Sequence, residues 1–407
     1  MKSPTLLRGN LVPASDSLKI SLVVSDLSSS GAGRWGGAVR PFLLAQALGM
    51  LNYQVEMLGI AFGEDTFAIA TDDFPIISFP CQYHSGFLRA ASQLISRIDG
   101  DIIYAVKLKP SSFGIALLKK WLNRRPLILD IDDWEMSWHG GEQWQYRPSL
   151  KQFAQDLFKS EGALKYPDHP LYLKWVEGLF PQADAVTIHN QFLQQRFGGI
   201  YVPNGKDTSL FDPAKYDSQV SRVKYGLADY KILMFPGAPR PYKGVEDVLI
   251  ALDRLERNDL RLAIVGGSPY DDYDRQLQEK WGRWIIQLPR SPTYMMPEVV
   301  SAADVIVVPQ RDTPAAQAQF PLKITDGMAM AKPILATRVG DIPQILADTG
   351  YLVEPNSPEQ IARTIEVIFA DLDIANAKGI AARKRCIQNY SLDVMAKILA
   401  HMINDFI

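Results

Sequence analysis

Short runs of β-branched and aliphatic residues recur along this chain with helical patterns between them, and the series runs twice. The first pass holds KISLVVSDL (19–27), YQVEMLGIAF (53–62), DIIYAVK (101–107), PLILDID (126–132) and DAVTIHN (184–190). The second holds KILMFPG (231–237), LRLAIVGG (260–267), WIIQLP (284–289), DVIVVPQ (304–310), PILATRV (333–339) and YLVEP (351–355). Runs this continuous suit strands buried on both faces, and a strand–helix–strand rhythm joins such strands in parallel. The sequence therefore predicts an α/β chain with two Rossmann-like parallel sheets. The intervening helices carry the matching signal: Leu44, Ala47, Leu48 and Leu51 share the i, i+3, i+4, i+7 spacing of one buried face, as do Val245, Val248, Leu249 and Leu252. With 407 residues, 47% of them hydrophobic, there is material for two full-sized cores.

The rhythm lapses in VPNGKDTSLFDPAKYDSQ (202–219), where Pro, Gly, Asn and Asp cluster, and the linker is expected there. This gives an N-terminal unit over 1–204 and a C-terminal unit over 205–387. A last helix in 388–407 is expected to cross back onto the first unit through Leu392, Met395, Leu399 and Met402. The stretch 134–181 is longer than an ordinary connection and rich in Trp, Tyr and Gln, so it is expected to form a helical insertion on the first unit.

Charge and cysteine usage exclude several classes. The formal net charge of −2 provides no global field for nucleic acid. Cys81 and Cys386 are the only cysteines, which gives neither a disulfide framework nor a thiolate metal site and fits a reducing cytoplasm. The histidines have no ligand-like spacing, and no structural metal is expected. MKSPTLLRGNLVPASDS at the N-terminus is too short and broken in its apolar stretch for a signal peptide, and no later run approaches the length of a membrane span. A cytoplasmic protein is expected, with peripheral contact at the inner face of a membrane left open.

Ligands of an open parallel sheet bind at the carboxyl ends of its strands, so the residues that follow strands carry the functional signal. Three stretches qualify. In SDLSSSGAGRWGGAVRP (25–41), Gly36 and Gly37 lead into a helix whose N–H groups could approach a phosphate; a plain glycine-rich turn fits the same residues. In FPGAPRPYKG (235–244), Arg240 and Lys243 precede an amphipathic helix whose own N-terminus is positive, an arrangement that a diphosphate would relieve. In FPLKITDGMAMAKPILAT (320–337), Pro321 suits the first helical position and Pro333 ends the helix. Ile324, Gly327, Met328 and Ala331 should face a core, while Lys323 and Asp326 stand on another stripe, either as an exposed ion pair or aimed together at a ligand.

Taken in order, these pieces resemble the family-four retaining glycosyltransferases of the GT-B fold. GGAVRPFLLAQALGMLNYQVEML is similar to the family's first-helix pattern, YVPNGKD to its interdomain turn, FPGAPRPYKGVEDVLIAL to its phosphate-clamp loop, and FPLKITDGMAMAKPILATRVGDIPQIL to the helix that follows its acidic motif. The resemblance implies two Rossmann-like domains facing across a cleft, with a nucleotide-sugar donor, a UDP-sugar favoured, on the C-terminal one and an acceptor on the N-terminal one. It implies no cofactor, no metal and no nucleic acid partner.

With the resemblance, Arg240, Lys243, Lys323 and Asp326 are expected on the donor nucleotide and its phosphates, Gly36 and Gly37 are expected there from their place before a helix, and Gln319 and Lys323 are expected on the donor sugar. Asp326 takes the second of the family's two acidic positions, on the ribose hydroxyls. The first falls on Ala318, which cannot bond a sugar, so Gln317, Gln319 or Asp312 would have to serve. In LDIDDWEMSWHGG (129–141), where the family places a histidine and an acid, this chain has Asp132 and Asp133 but no histidine at the strand end. Asp133 is expected to act on an acceptor hydroxyl beside Arg240 and Lys243, and Asp132, Trp134 and Trp138 are expected at an acceptor that is a glycan, a lipid or a natural product; capping or charge-pairing carboxylates and an aromatic core of the insertion fit the same residues. Retention of configuration is implied by the resemblance alone. Two other readings stay open: a non-hydrolysing nucleotide-sugar epimerase, and a nucleotide-sugar-binding subunit with reduced catalysis, suggested by Ala318.

Overall fold

The computed structural model describes residues 18–28, 39–63, 73–82, 86–159, 162–268 and 271–406. The first parallel sheet contains β1 (Lys19–Val24), β2 (Gln54–Phe62), β3 (Ile76–Cys81), β4 (Ile102–Val106), β5 (Leu127–Ile131), β6 (Ala185–Ile188) and β7 (Ile200–Tyr201), in the order β3-β2-β1-β4-β5-β6-β7. The second contains β8 (Lys231–Pro236), β9 (Leu260–Val265), β10 (Ile285–Leu288), β11 (Val305–Val308), β12 (Ile334–Thr337) and β13 (Tyr351–Val353), in the order β10-β9-β8-β11-β12-β13. Both orders reverse direction beside their first strand, between β1 and β4 and between β8 and β11. Those reversals open the crevices in which such sheets hold ligands.

Alternation along each strand explains the layers. Ile20, Leu22 and Val24 of β1 point into one core with Leu44 and Leu48, and Val23 points into the other with Ala105 and Leu129. In β8, Ile232 and Met234 join one core and Leu233 and Phe235 the other. Strands covered on both faces have no polar side to show, which is why they read as continuous apolar runs. Strand β3 was not expected from the sequence. Pro75 and Pro80 interrupt its pattern, and a proline is tolerated there because β3 is an edge strand.

The chain passes between the two sheets twice, and the passages lie side by side. Lys206 N donates to Tyr390 O at 2.7 Å and Leu392 N to Lys206 O at 3.0 Å. Gly205 allows this approach, since a Cβ there would stand 3.0 Å from Leu392 Cα. The helix Leu392–Ile403 then packs Leu392, Met395, Leu399 and Met402 into the core of the first sheet, beside the helix Val39–Gly49. Arg40 anchors the first passage. Its guanidinium donates to both oxygens of Asp130, at 3.0 and 2.7 Å, and to Val202 O at 2.8 Å and Asn204 Oδ1 at 3.0 Å. Thr187 Oγ1 donates to Asp130 Oδ1 at 2.7 Å and shares a hydrogen bond with the Tyr104 hydroxyl at 2.8 Å, so the buried charge pair has its remaining valences met.

Within 134–181 the structure has short 3-10 turns at Glu135–His139 and Gly141–Gln143 and two helices, Leu150–Phe158 and Pro170–Glu177.

Candidate active site

A cleft with a volume of about 590 Å³ lies between the carboxyl edges of the two sheets and is lined from both. Ser25 and Asp26 follow β1, Lys107 and Lys109 follow β4, Asp132 and Asp133 follow β5, and His189 follows β6. From the other sheet come Arg240 and Lys243 after β8, Gly267 after β9, Gln310 after β11, and Lys323 and Asp326 on the helix Leu322–Ala329.

The loop after β8 is held by two glycines. Gly237 has φ 129° and Gly244 φ 68°, and a Cβ on Gly244 would come within 1.8 Å of Pro309 O, so only glycine fits between this loop and the end of β11. The 3-10 turn Pro241–Lys243 then aims Lys243 into the cleft, where its Nζ donates to Ala238 O at 2.8 Å. Burial, with Lys323 and Arg240 nearby, pulls the Lys243 pKa well below its ordinary value. Lys323 is 9% exposed, with the Phe235 ring centre 4.7 Å from its Nζ. Burial lowers its pKa to about 8, against a partial offset from Asp326. Neither lysine forms an ion pair among the described residues. Lys243 and Lys323 thus stand beside Arg240 in a partly dehydrated space, and an anion with several oxygens would offset the cost of placing their charges there.

Lys323 and Asp326 are not paired with each other. Asp326 Oδ1 is the ion-pair partner of Lys206, the linker residue whose ammonium also stands 4.3 Å from the Phe211 ring. Its other oxygen has no hydrogen bond among the described residues, which leaves it able to accept hydroxyls. The helix begins at Leu322 with Pro321 as its cap residue, one position earlier than the first-turn placement expected for that proline. Ile324, Gly327 and Met328 are buried as the spacing predicted, whereas Ala331 lies beyond the helix end at φ 53°.

On the N-terminal wall, Lys107 lies 3.0 Å from Asp132 and 3.5 Å from Glu135, and Lys109 lies 3.2 Å from Glu135. Burial alone would raise Glu135, but Lys109 and Lys107 overcome it and hold this carboxylate below its usual range. Asp133 goes the other way. Burial, with Glu135 adding repulsion, lifts it to about 7 against the pull of Lys107. Its Oδ2 accepts from Trp138 Nε1 at 2.9 Å, and its buried Oδ1 lacks a hydrogen-bond partner among the described residues. A carboxyl group poised near neutrality with one oxygen free can exchange a proton with a hydroxyl brought to it. His189, which sequence reasoning passed over, also lines this wall. It is 3% exposed, its Nδ1 has no hydrogen-bond partner among the described residues, and burial, with Arg40 nearby, depresses its pKa to about 3.

Contacts across the cleft bring the walls together. The Trp138 ring meets Tyr242 edge-on at 5.8 Å, and on the C-terminal wall itself Gln319 Nε2 donates to the Tyr242 hydroxyl at 3.3 Å. Asp341 accepts the Gln191 N–H at 2.9 and 3.1 Å. Ala318 is fully buried in the N-terminal core cluster that holds Trp134 and Met136.

The fold therefore gathers Arg240, Lys243, Gln319, Lys323, Asp326, Asp132, Asp133 and Trp138 around one space. Trp134, expected at an acceptor, is not among them. Its ring is 8% exposed in the N-terminal core, its Nε1 donates to Glu177 Oε2 at 3.2 Å, and the Arg196 guanidinium stands 4.0 Å from the ring centre. The reason is the 3-10 turn that begins after it, which sends Trp134 inward and Trp138 outward. Trp144 and Tyr146 stack on each other and meet His169, away from the cleft lining. Gln317 donates to Asp312 Oδ1 at 2.7 Å and neither lines the cleft. Gly36 and Gly37 lie outside the described residues.

Comparison with known proteins agrees with this architecture. Residues 230–371 match the family model described as "Glycosyl transferases group 1". The chain is similar to the GDP-mannose-dependent alpha-(1-6)-phosphatidylinositol monomannoside mannosyltransferase of Mycolicibacterium smegmatis, 27% identical over 54% of this chain and 62% of the relative. It is also similar to the alpha-maltose-1-phosphate synthase of the same organism, 30% identical over 47% of this chain and 52% of the relative. It thus spans less than two thirds of the length of these curated relatives. Among solved structures, Anabaena Alr3699/HepE in complex with UDP and glucose superposes with a TM-score of 0.71 at 17% identity, covering 95% of this chain and all of that one. The fold is GT-B, and over its C-terminal sheet the chain resembles the group 1 glycosyltransferases.

Proposed function

We propose that this chain is a glycosyltransferase that moves a sugar from a nucleoside-diphosphate sugar, a UDP-sugar, to an acceptor hydroxyl in the cleft. The observation that carries this reading is the pair of lysines, half-buried Lys243 and buried Lys323, set beside Arg240 at the carboxyl edge of the second sheet with no acid in an ion pair with either lysine among the described residues. A diphosphate supplies the missing negative charge. The free oxygen of Asp326 then faces the ribose hydroxyls, and Gln319 and Lys323 stand where the donor sugar would lie. The complexes of Alr3699/HepE with UDP and glucose and with UDP-glucose support a nucleotide sugar as ligand of this architecture.

As the bond from the anomeric carbon to the diphosphate breaks, negative charge grows on the leaving oxygens and positive charge on the sugar. Arg240, Lys243 and Lys323 stabilise the first, which provides metal-free charge compensation. Asp133 receives the proton of the acceptor hydroxyl, and Asp132 and Trp138 border the space that the acceptor enters. Retention of configuration is part of this proposal and rests on the family resemblance.

Calorimetric titration with UDP, followed by assay of UDP release with and without candidate acceptors, tests the reading. Lys243→Ala should weaken UDP binding by about 2–3 kcal/mol, and the parent should release UDP faster when an acceptor is present. Equal UDP affinity in parent and variant would remove the diphosphate site, and acceptor-independent turnover would remove the transfer reaction.

A further inference from the structure

Helices that cover a sheet bury their apolar stripe, as Val39–Gly49 does with Leu44, Ala47 and Leu48. The helix Leu150–Phe158 does the reverse. Leu150 is 91% exposed, Phe158 77%, Phe153 44% and Leu157 40%, while the only residue it buries is Asp156. Asp156 is held inward by the Tyr146 hydroxyl at 2.7 Å and by Gln152 Nε2 at 2.6 Å. At about 100° per residue, the four apolar side chains share an arc of roughly 140°, and Asp156 falls outside it. The helix is also capped, since Ser149 Oγ accepts the Gln152 N–H at 3.2 Å. It is therefore a formed helix fastened by its polar side with its apolar side turned outward. The next helix, Pro170–Glu177, is tied to the same place through His169, whose ring lies 5.5 Å from Tyr146, and it adds Trp175 at 65% exposure.

We propose that this face of the N-terminal insertion docks on a bilayer containing anionic lipids. Charge selects that occupant. Arg147, Lys151, Lys159 and Lys174 are exposed beside the apolar residues, and among the described residues of 134–181 the one exposed acid, Glu142, is paired with Arg196 at 2.9 Å. The positive charge belongs to the exposed surface around the stripe and not to the insertion as a whole, whose acids Asp156 and Asp168 are buried. An outward apolar stripe flanked by lysines is the pattern of a helix that lies in the membrane interface, its Phe, Leu and Trp side chains in the headgroup boundary and its cations on acidic headgroups. A second copy of the chain fits less well. An isologous contact would set the face against itself and bring the Lys151 and Lys159 side chains of two copies together. The inference is independent of the reaction proposed above.

Flotation of the full chain with phosphatidylcholine vesicles containing about 30% phosphatidylglycerol, beside vesicles of phosphatidylcholine alone, tests the proposal. The chain should float with the anionic vesicles and remain behind with the neutral ones, and added salt should reduce the bound fraction. The double variants Phe153→Ser/Phe158→Ser and K151E/K159E should each lower binding at least about tenfold, with circular dichroism and thermal midpoint unchanged. Absence of parental binding to anionic vesicles, or full binding by both variants, would overturn the proposal. So would a concentration-dependent dimer in sedimentation equilibrium that Phe153→Ser/Phe158→Ser abolishes, because the face would then belong to a second copy.

Discussion

Replacing Lys323 by methionine separates what the cation cluster costs the folded protein from what it does for a ligand. The ammonium is nearly buried, and its pKa falls from 10.5 to about 8 mainly through loss of water. That displacement corresponds to about 3 kcal/mol of unfavourable free energy while the lysine is charged. Against it stands the contact with the Phe235 ring, a cation–π interaction that contributes at most about 2 kcal/mol. Methionine keeps the apolar contacts of the stem, so Lys323→Met should raise stability at neutral pH by about 1–3 kcal/mol. The pH dependence has a fixed sign. The folded-state pKa is depressed, so between about 8 and 10.5 the unfolded chain binds more protons than the folded one, and the parent's stability should rise with pH through that window. The variant should lack that rise. Its affinity for UDP should fall by about 1.5–3 kcal/mol, since a charge-assisted donor to the diphosphate is gone. Urea unfolding at about pH 7 and pH 10, beside calorimetry with UDP, reads both quantities. A variant that is less stable than the parent at neutral pH, or that binds UDP equally well, refutes the reasoning.

Asp130→Asn should lower stability by about 3–5 kcal/mol in chemical denaturation, because it leaves the Arg40 charge buried without its partner; a change under about 1 kcal/mol would mean the pair is solvated. Asp341 has its pKa raised to about 6 by burial, so the folded chain binds the extra proton and this group's contribution to stability falls as pH rises from about 4 to 6. Thermal midpoints measured across that range should show a steeper fall in the parent than in Asp341→Asn; parallel profiles would contradict the shift. Ala318→Glu restores the acid that the resemblance lacks, yet the position is fully buried against the N-terminal core. It should destabilise the chain by roughly 3 kcal/mol or more rather than raise transfer activity, as measured by unfolding and UDP release.

Much of this architecture was legible before any coordinates. Strands such as β8 and β11 are buried on both faces, so their apolar runs are continuous and their order along the chain gives the parallel rhythm. Arg240, Lys243 and Lys323 could be singled out because each lies close to a strand end or a helix start, where sequence neighbours decide the geometry. Residues whose role depends on distant partners were not legible. Arg40 meets Asp130 90 positions away, Lys206 meets Asp326 120 positions away, and only the completed sheets bring them together. His189 reads as an ordinary strand end until the fold places it on the cleft wall. Trp134 and Trp138 are close enough in sequence to share either face, and a short 3-10 turn separates them. A helical insertion over 134–181 is expected from the sequence, but not which side LKQFAQDLF buries; that side is Asp156, bonded to Tyr146 ten positions away.

The most direct test of the central claim is calorimetric titration of the full chain with a panel of nucleoside diphosphates and nucleotide sugars, repeated on Lys243→Ala and Arg240→Ala. The account predicts that UDP and one UDP-sugar bind one per chain, and that each variant loses about two orders of magnitude in affinity while remaining folded by circular dichroism. If no nucleoside diphosphate binds the parent, or if both variants bind as the parent does, the cleft does not hold the donor that this account assigns to it.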